Sequence, residues 1–358
     1  MTRYLALDAF RGITIALMIL VNTPGSWAHV YPPLLHADWH GATPTDFVFP
    51  FFLFIIGSAM FFSFKKSNFL ANPSQVIKII KRGLIMFFIG FMLNVIPFTI
   101  NPENWRIMGV LQRIGIAYII ASCLVLMLNR KGILLISAFI LLAYWALLLT
   151  IGDGALTLEG NIIRQLDLSL LGASHMYTMR GVSFDPEGIL STIPAVVSML
   201  LGFEVTRYLT SITDKRISVI KLTLIGGLAI GAGALWSLIL PINKSLWTPS
   251  YVIYTTGFAC LLLAAFIYVI DVLQQQKWTS PLLVYGTNPL FVYILSFLIV
   301  TLYLNIKIDQ TSLYHWIYVQ INAVFEPKLA SLIFAISHVI LFWYVSLKLY
   351  QREIFIKI

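Results

Sequence analysis

Apolar residues run along this chain in long blocks, with polar residues confined to the gaps between them. Ten blocks stand out, over 8–24, 46–64, 80–99, 108–128, 132–151, 187–207, 218–240, 250–272, 281–303 and 328–349. Each is close to the roughly 20 residues of helix that cross a ~30 Å hydrocarbon core. A backbone facing lipid must satisfy its own hydrogen bonds, so such blocks form helices. The pattern predicts an all-α, polytopic transmembrane helical bundle of about ten spans. No tandem repeat, low-complexity tract or long linker interrupts it, so one integral-membrane domain over 1–358 is expected. The opening stretch "MTRYLALDAFRGITIALMILVN" lacks a small-residue cleavage site and reads as a first span rather than a signal peptide.

Composition agrees. Of 358 residues, 59% are hydrophobic and only 11% are charged, whereas soluble domains carry about 25% charged residues. The net charge of +9 does not point to nucleic acid, because the cations mark the gaps between apolar blocks. With the N-terminus in the cytoplasm, seventeen cations face inward, from Arg3 and Arg11 through Lys78, Lys81, Arg82 and Arg130 to Lys348 and Lys357. Seven face outward: Arg106, Arg113, Arg164, Arg180, Lys244, Lys307 and Lys328. That is a positive-inside distribution, and ten spans then put both termini in the cytoplasm. Cys123 and Cys260 lie inside apolar blocks, where small core residues are expected rather than a disulfide.

This orientation gathers the titratable side chains on the outer face. The stretch "HADWHGATPTDFVFP" holds His36, Asp38, His40 and Asp46 at the entrance of the second block. A neutral imidazole accepts a proton near neutral pH, and a neighbouring carboxylate can orient it. The competing reading is a solvated loop with incidental histidines. Asn22 closes the first block, either as a helix C-cap or as an amide able to orient His36 or polarise an oxyanion. Asp8 and Arg11, three apart, suit either an intrahelical ion pair or an anion-binding Arg. Gln112 and Arg113 lie inside the fourth block. An intramembrane Arg faces a cavity or a partner, or else snorkels to the interface. Asp185 and Glu187, around Pro186, are either dipole partners of a helix start or recognition groups for an amine or sugar hydroxyls. Asn243, Lys244, Trp247 and Asn288 lie near block ends. No phosphate-binding loop, dinucleotide fingerprint or convincing metal-ligand spacing is present.

Six stretches carry a family resemblance: "LALDAFRGITIALMILVNTPG", "LLHADWHGATPTDFVFPFFLFIIGS", "GVLQRIGIAY", "FDPEGILSTI", "NKSLWTPSYV" and "GTNPLFVYIL". In this order they resemble the heparan-α-glucosaminide N-acetyltransferase family and its bacterial relatives. The resemblance implies transfer of an acetyl group from cytoplasmic acetyl-CoA to a glucosamine-like amine, or a sugar hydroxyl, on the far side of the membrane. It implies His36 as active-site histidine, acting as general base or transient acetyl carrier, with Asn22 and Asp46 beside it. It places the family's Gln-Arg pair on Gln112 and Arg113. From side and charge, Gln112, Arg113, Arg11 and Asp8 are expected toward acetyl-CoA, and Asp185, Glu187 and His175 toward the acceptor. Acetyl-CoA enters as a co-substrate, with no metal. A bacterial cytoplasmic membrane is the expected location, and a homodimer is left open. A heparan acceptor does not follow. The rival reading is a transporter or flippase of a lipid-linked sugar. A non-catalytic scaffold comes third, because it leaves the histidine-rich loop without a use.

Overall fold

Small residues let these helices approach until backbones touch. In the computed structural model, which describes residues 4–98, 101–150 and 152–356, the chain is almost entirely helical. Arg3 and Lys357, counted above among the inward cations, lie outside the described residues, as do the final positions of the 80–99 and 132–151 blocks.

The helices are α1 (Leu5–Asn22), α2 (Val48–Lys65), α3 (Pro73–Val95), α4 (Val110–Met127), α5 (Arg130–Leu148), α6 (Ile162–Leu171), α7 (Thr192–Thr210), α8 (Lys215–Trp236), α9 (Pro249–Ile267), α10 (Ser280–Thr287), α11 (Pro289–Asn305), α12 (Leu313–Asn322) and α13 (Pro327–Gln351). Two-residue antiparallel pairs, Thr178–Met179 with Val182–Ser183 and Lys307–Ile308 with Thr311–Ser312, are the strands.

Seven described helices are long and apolar enough to cross a membrane, or eight if α10 and α11 form one bent span. The chain is a multi-pass membrane protein. Charges interrupt the other two long helices: Lys78, Lys81 and Arg82 in α3, Glu204 and Arg207 in α7. Of their apolar windows α8 buries 22% and α5 28%, so most of their side chains are left for lipid.

The chain divides into two compact units. The first comprises residues 1–37, 42–49 and 265–358. Here α1 packs on α10 and α13, and α12 on α13. Gly12 meets the backbone of Leu282, and Gly286 the carbonyl of Asp8, so α1 and α10 touch with nothing between them. The 281–303 block is not one straight helix. It bends by 71° between α10 and α11. Pro289 has no N–H and pushes Asn288 out of helical geometry, to φ −129° and ψ 52°. The buried Asn288 amide then donates to Ile354 O (2.9 Å) and accepts from Ile356 N (2.7 Å).

The second unit comprises residues 38–41 and 50–264. α4 packs on α3 and α7, and α5 on α7. α2 crosses α7 where Gly57 faces the backbone of Met199 and Gly202 that of Phe54. Ser58 Oγ donates across this crossing to Gly202 O at 3.2 Å. Side-chain caps start several helices: Asn72, Asn129, Asn161 and Asp214 each accept a backbone N–H of the first turn, worth about 1 kcal/mol apiece. The long stretch before α7 folds over a cluster of Tyr144, Leu148, Leu158, Ile163, Phe184, Leu190, Leu240 and Leu246. That cluster holds α6 in place, an element the apolar blocks did not forecast.

A Cβ at Gly202 would collide with the Phe54 backbone, whereas one at Gly227 of α8 meets nothing within 4 Å. Gly202→Val should therefore destabilise by about 1–3 kcal/mol or more through overpacking. Gly227→Ala should be neutral or stabilising by up to ~1 kcal/mol through helix propensity. Thermal unfolding of the detergent-solubilised variants compares them directly.

Candidate functional site

In each of the two units, loops hold polar groups at the ends of helices.

In the first unit the loop from His36 closes on Asp46. Residues 44–47 form a 3-10 turn that leads into α2. Thr43 is its N-cap: its side chain accepts from the Asp46 backbone, and the Asp46 carboxylate accepts from the Thr43 backbone. The same carboxylate oxygen takes the Ala37 N–H at 2.9 Å and the Thr43 N–H at 2.9 Å. The other oxygen accepts from His36 Nδ1 at 2.6 Å. Thr43 Oγ1 ties the loop further by donating to Leu35 O at 2.5 Å. Asp46 is thus buried, with donors on both oxygens, while the His36 side chain is 47% exposed. A carboxylate partner at Nδ1 requires the proton there, so the neutral ring carries its lone pair on Nε2. The pair has the geometry of an oriented base.

The other residues expected here are arranged differently. Asn22 is exposed at the last turn of α1, and its amide makes no hydrogen bond to His36 among the described residues. It is not the C-cap either: that is Thr23, whose N–H returns to Ile19 O. Arg11 donates to Asp8 at 3.3 Å and to Gly286 O at 3.2 Å. The Asp8–Arg11 pair is therefore joined to the α1–α10 contact.

In the second unit a guanidinium holds the acids that precede α7. Arg106 donates from Nε and Nη2 to the two oxygens of Asp185, at 2.9 and 2.7 Å, and from Nη2 to Glu187 at 2.7 Å. Its plane lies over the Tyr177 ring, 5.0 Å from the centroid. Burial alone would lower its pKa. The hydrogen bond to Asp185 and the charge of Glu187 outweigh that and hold it above its ordinary value. Asp185 is fully buried and also accepts from Glu187 N at 2.9 Å. Both carboxylates are engaged from within the chain. His175 stands apart from them: its Nδ1 donates to Trp105 O at 2.8 Å, and the residue is half-buried.

Gln112 and Arg113 work on backbone. Gln112 Nε2 donates to Ile107 O at 2.9 Å. Arg113 is fully buried. It donates to Pro186 O at 2.7 Å and to Ser191 Oγ, and sits 4.9 Å from the Trp247 ring. Arg113 therefore clamps the 186–191 turn from one side while Arg106 holds its acids from the other. Of the two readings left open, partnering inside the protein describes Arg113 and snorkelling does not.

Three features had no distinct signal in the sequence. Arg106 meets Asp185 across 79 residues of chain. Asn243 is fully buried, accepts from Leu246 N at 2.8 Å and bonds His40 Nδ1 at 3.3 Å. Asp167 on α6 is fully buried, with one oxygen accepting from Ile189 N at 3.0 Å and the other without a hydrogen-bond partner. Burial pushes the Asp167 pKa up to about 6, against the pull of the Ile189 and Leu190 N–H groups.

The chain matches the family described as heparan-alpha-glucosaminide N-acetyltransferase, catalytic, over residues 3–234. It is similar to the human heparan-alpha-glucosaminide N-acetyltransferase, 28% identical over 351 residues, covering 82% of this chain and 52% of that protein. The mouse protein of the same name is likewise 28% identical, over 352 residues, with 82% and 53% covered. The chain spans about half the length of the curated relatives it matches.

Asp167 generates a pH prediction. Its folded pKa is raised, so ionisation costs stability in the folded state. The penalty is absent below pH ~4, builds as pH rises, and is complete above about 6. Asp167→Asn keeps an acceptor and cannot ionise. It should raise the melting temperature at pH 7 and leave it nearly unchanged at pH 4. An equal shift at both pH values would reject the ionisation argument.

Proposed function

This chain belongs to the heparan-alpha-glucosaminide N-acetyltransferase family, and from that premise we propose that it transfers an acetyl group from acetyl-CoA to an amino sugar across the membrane. The observation that carries this reading is His36 held through Nδ1 by the buried Asp46 carboxylate. In the proposed orientation both termini are cytoplasmic, ten segments cross, and the His36 loop faces outward. Acetyl-CoA is anionic and cannot cross a bilayer, so it is offered from the basic cytoplasmic side. A bacterial cytoplasmic membrane suits this arrangement.

In the proposed step, His36 Nε2 takes a proton from the acceptor amine as its nitrogen attacks the thioester carbonyl carbon. The C–N bond forms and the C–S bond breaks. The thiolate takes the proton from His36 and leaves as CoA, and the acceptor becomes an N-acetylamide. Asp46 stabilises the imidazolium formed on the way and keeps the ring oriented. In a two-step variant His36 Nε2 itself carries the acetyl group before the amine takes it. The direct route needs no acyl-imidazole and is preferred. Asn22, exposed at the end of α1, serves to polarise the thioester oxygen. Gln112 and Arg113 act here as positioning residues, since their hydrogen bonds go to backbone and Ser191. Asp185 and Glu187 reach the acceptor only through Arg106, which engages both.

The transporter reading draws on one feature, the broken α10–α11 pair, since discontinuous helices frame many transport sites. Here the amide at the break is occupied by the C-terminal segment, at Ile354 and Ile356, which favours a structural break.

His36→Ala should abolish acetyl transfer while purified protein still binds CoA. Near-normal turnover would reject the assignment. Asp46→Asn should lower kcat by about 10²–10⁴-fold, the usual range for impaired acid–base catalysis. Radiolabelled acetyl-CoA supplied without acceptor separates the routes: acetyl retained on the wild-type protein but not on His36→Ala indicates the two-step path.

A further inference from the structure

The stretch that supplies His36 continues into Trp39 and His40, and these two residues line a cleft of about 590 Å³ in the second unit. That lies within the roughly 300–1,000 Å³ range of small-molecule sites. Its other polar lining comes from Asp153, Thr157, Glu159 and Arg180. None of these residues was assigned a role above.

The cleft is built before any ligand arrives. Trp39 Nε1 donates to Leu156 O at 2.7 Å, and the indole meets Phe184 edge-on at 5.6 Å, so its plane is held. The 152–160 turn is fixed by its own bonds: Gly152 and Gly154 take positive φ, +77° and +83°, and Thr157 Oγ1 donates to Gly154 O at 2.8 Å. Asn243 Oδ1 is committed to Leu246 N, so the Asn243 Nδ2 end faces His40 and donates to its Nδ1. The His40 proton then resides on Nε2, making that atom a donor. Burial lowers the His40 pKa, which keeps the ring neutral.

The charges are unbalanced. Arg180 donates to the Asp38 carboxylate at 2.9 Å and to its carbonyl at 2.8 Å, so that cation is matched outside the lining. Asp153 and Glu159 have no ion-pair partner among the described residues. A ring held flat, neutral donors and two unmatched carboxylates fit a hydroxylated ring that bears a cation.

We propose that this cleft binds the acceptor as a hexosamine unit with its ammonium directed to Asp153 and Glu159, and that it discriminates substrate from product by charge. The ammonium first gives one proton to water, the free amine is then acetylated by the step above, and the product is a neutral amide, which removes the attraction and favours release. The proposal rests on the acetyl-transfer reading for the identity of the ligand, but its test does not depend on turnover.

Binding is measured by titration calorimetry on the full-length His36→Ala chain without acetyl-CoA, using glucosamine and N-acetylglucosamine as probes. Glucosamine should bind about tenfold more tightly than N-acetylglucosamine. The Asp153→Asn/Glu159→Gln pair should erase that preference by weakening glucosamine alone. Arg180→Gln should shift glucosamine the other way, to tighter binding, a gain that a misfolded protein would not give. No preference between the probes, an unchanged preference in the double variant, or equal weakening of both sugars would overturn the proposal. Charge-selective binding in a chain that transfers no acetyl group would leave the cleft standing and reject the catalytic reading instead.

Discussion

A carboxylate taken out of water has to be met by donors or by a cation, and the loops of this protein are organised around carboxylates in that position. Asp46, Asp167, Asp185 and Glu187 are all buried. Asp46 is met by two backbone N–H groups and an imidazole. Asp185 and Glu187 share one guanidinium. Asp167 has backbone donors on one side only, and burial pushes its pKa up to about 6 against their pull. Remove these solutions and the loops lose the contacts that hold His36, the 186–191 turn and α6 in place.

The same constraint separates orientation from chemistry. Asp46 is almost inaccessible, whereas the ring it holds is about half exposed. That division suits a catalytic pair, because the orienting group needs a dry, fixed setting and the reacting group needs access. Arg106 creates the opposite situation at Asp185 and Glu187: two acids in an inviting position carry a net charge of about −1 with their cation and make hydrogen bonds that are already satisfied. Chemical type alone made them acceptor candidates. Arg106 engages both of them, whereas Asp153 and Glu159 on the 152–160 turn have no ion-pair partner among the described residues.

Helix contact follows a simpler logic. Lipid is as apolar as a leucine side chain, so helices in a membrane associate through close packing. Gly12 on Leu282 and Gly57 on Met199 bring backbones together where any Cβ would intrude. These contacts hold α1 on α10 and α2 on α7, and the loops that carry the polar groups start from those helices.

The sequence by itself determined the membrane class, the positions of most of the long helices to within a few residues, and the family; the block for α3 begins well inside the helix, because the polar first turns of Pro73–Val95 carry no hydropathy signal. The sequence put His36 and Asp46 within one short loop and left a solvated loop as the alternative; the structure closes the pair, because the turn is tight and the Thr43 cap is local. Periodicity read 281–303 as a single block although the Asn-Pro step that breaks it was in plain view, since hydropathy averages over a bend. Only the tertiary structure decided that Arg106 bridges Asp185 and Glu187, that Arg113 turns inward, and that Trp39 and His40 share a cleft with Asp153 and Glu159. Those partners lie tens to hundreds of residues apart along the chain, and a charge in a loop does not reveal by its type which distant charge it will meet.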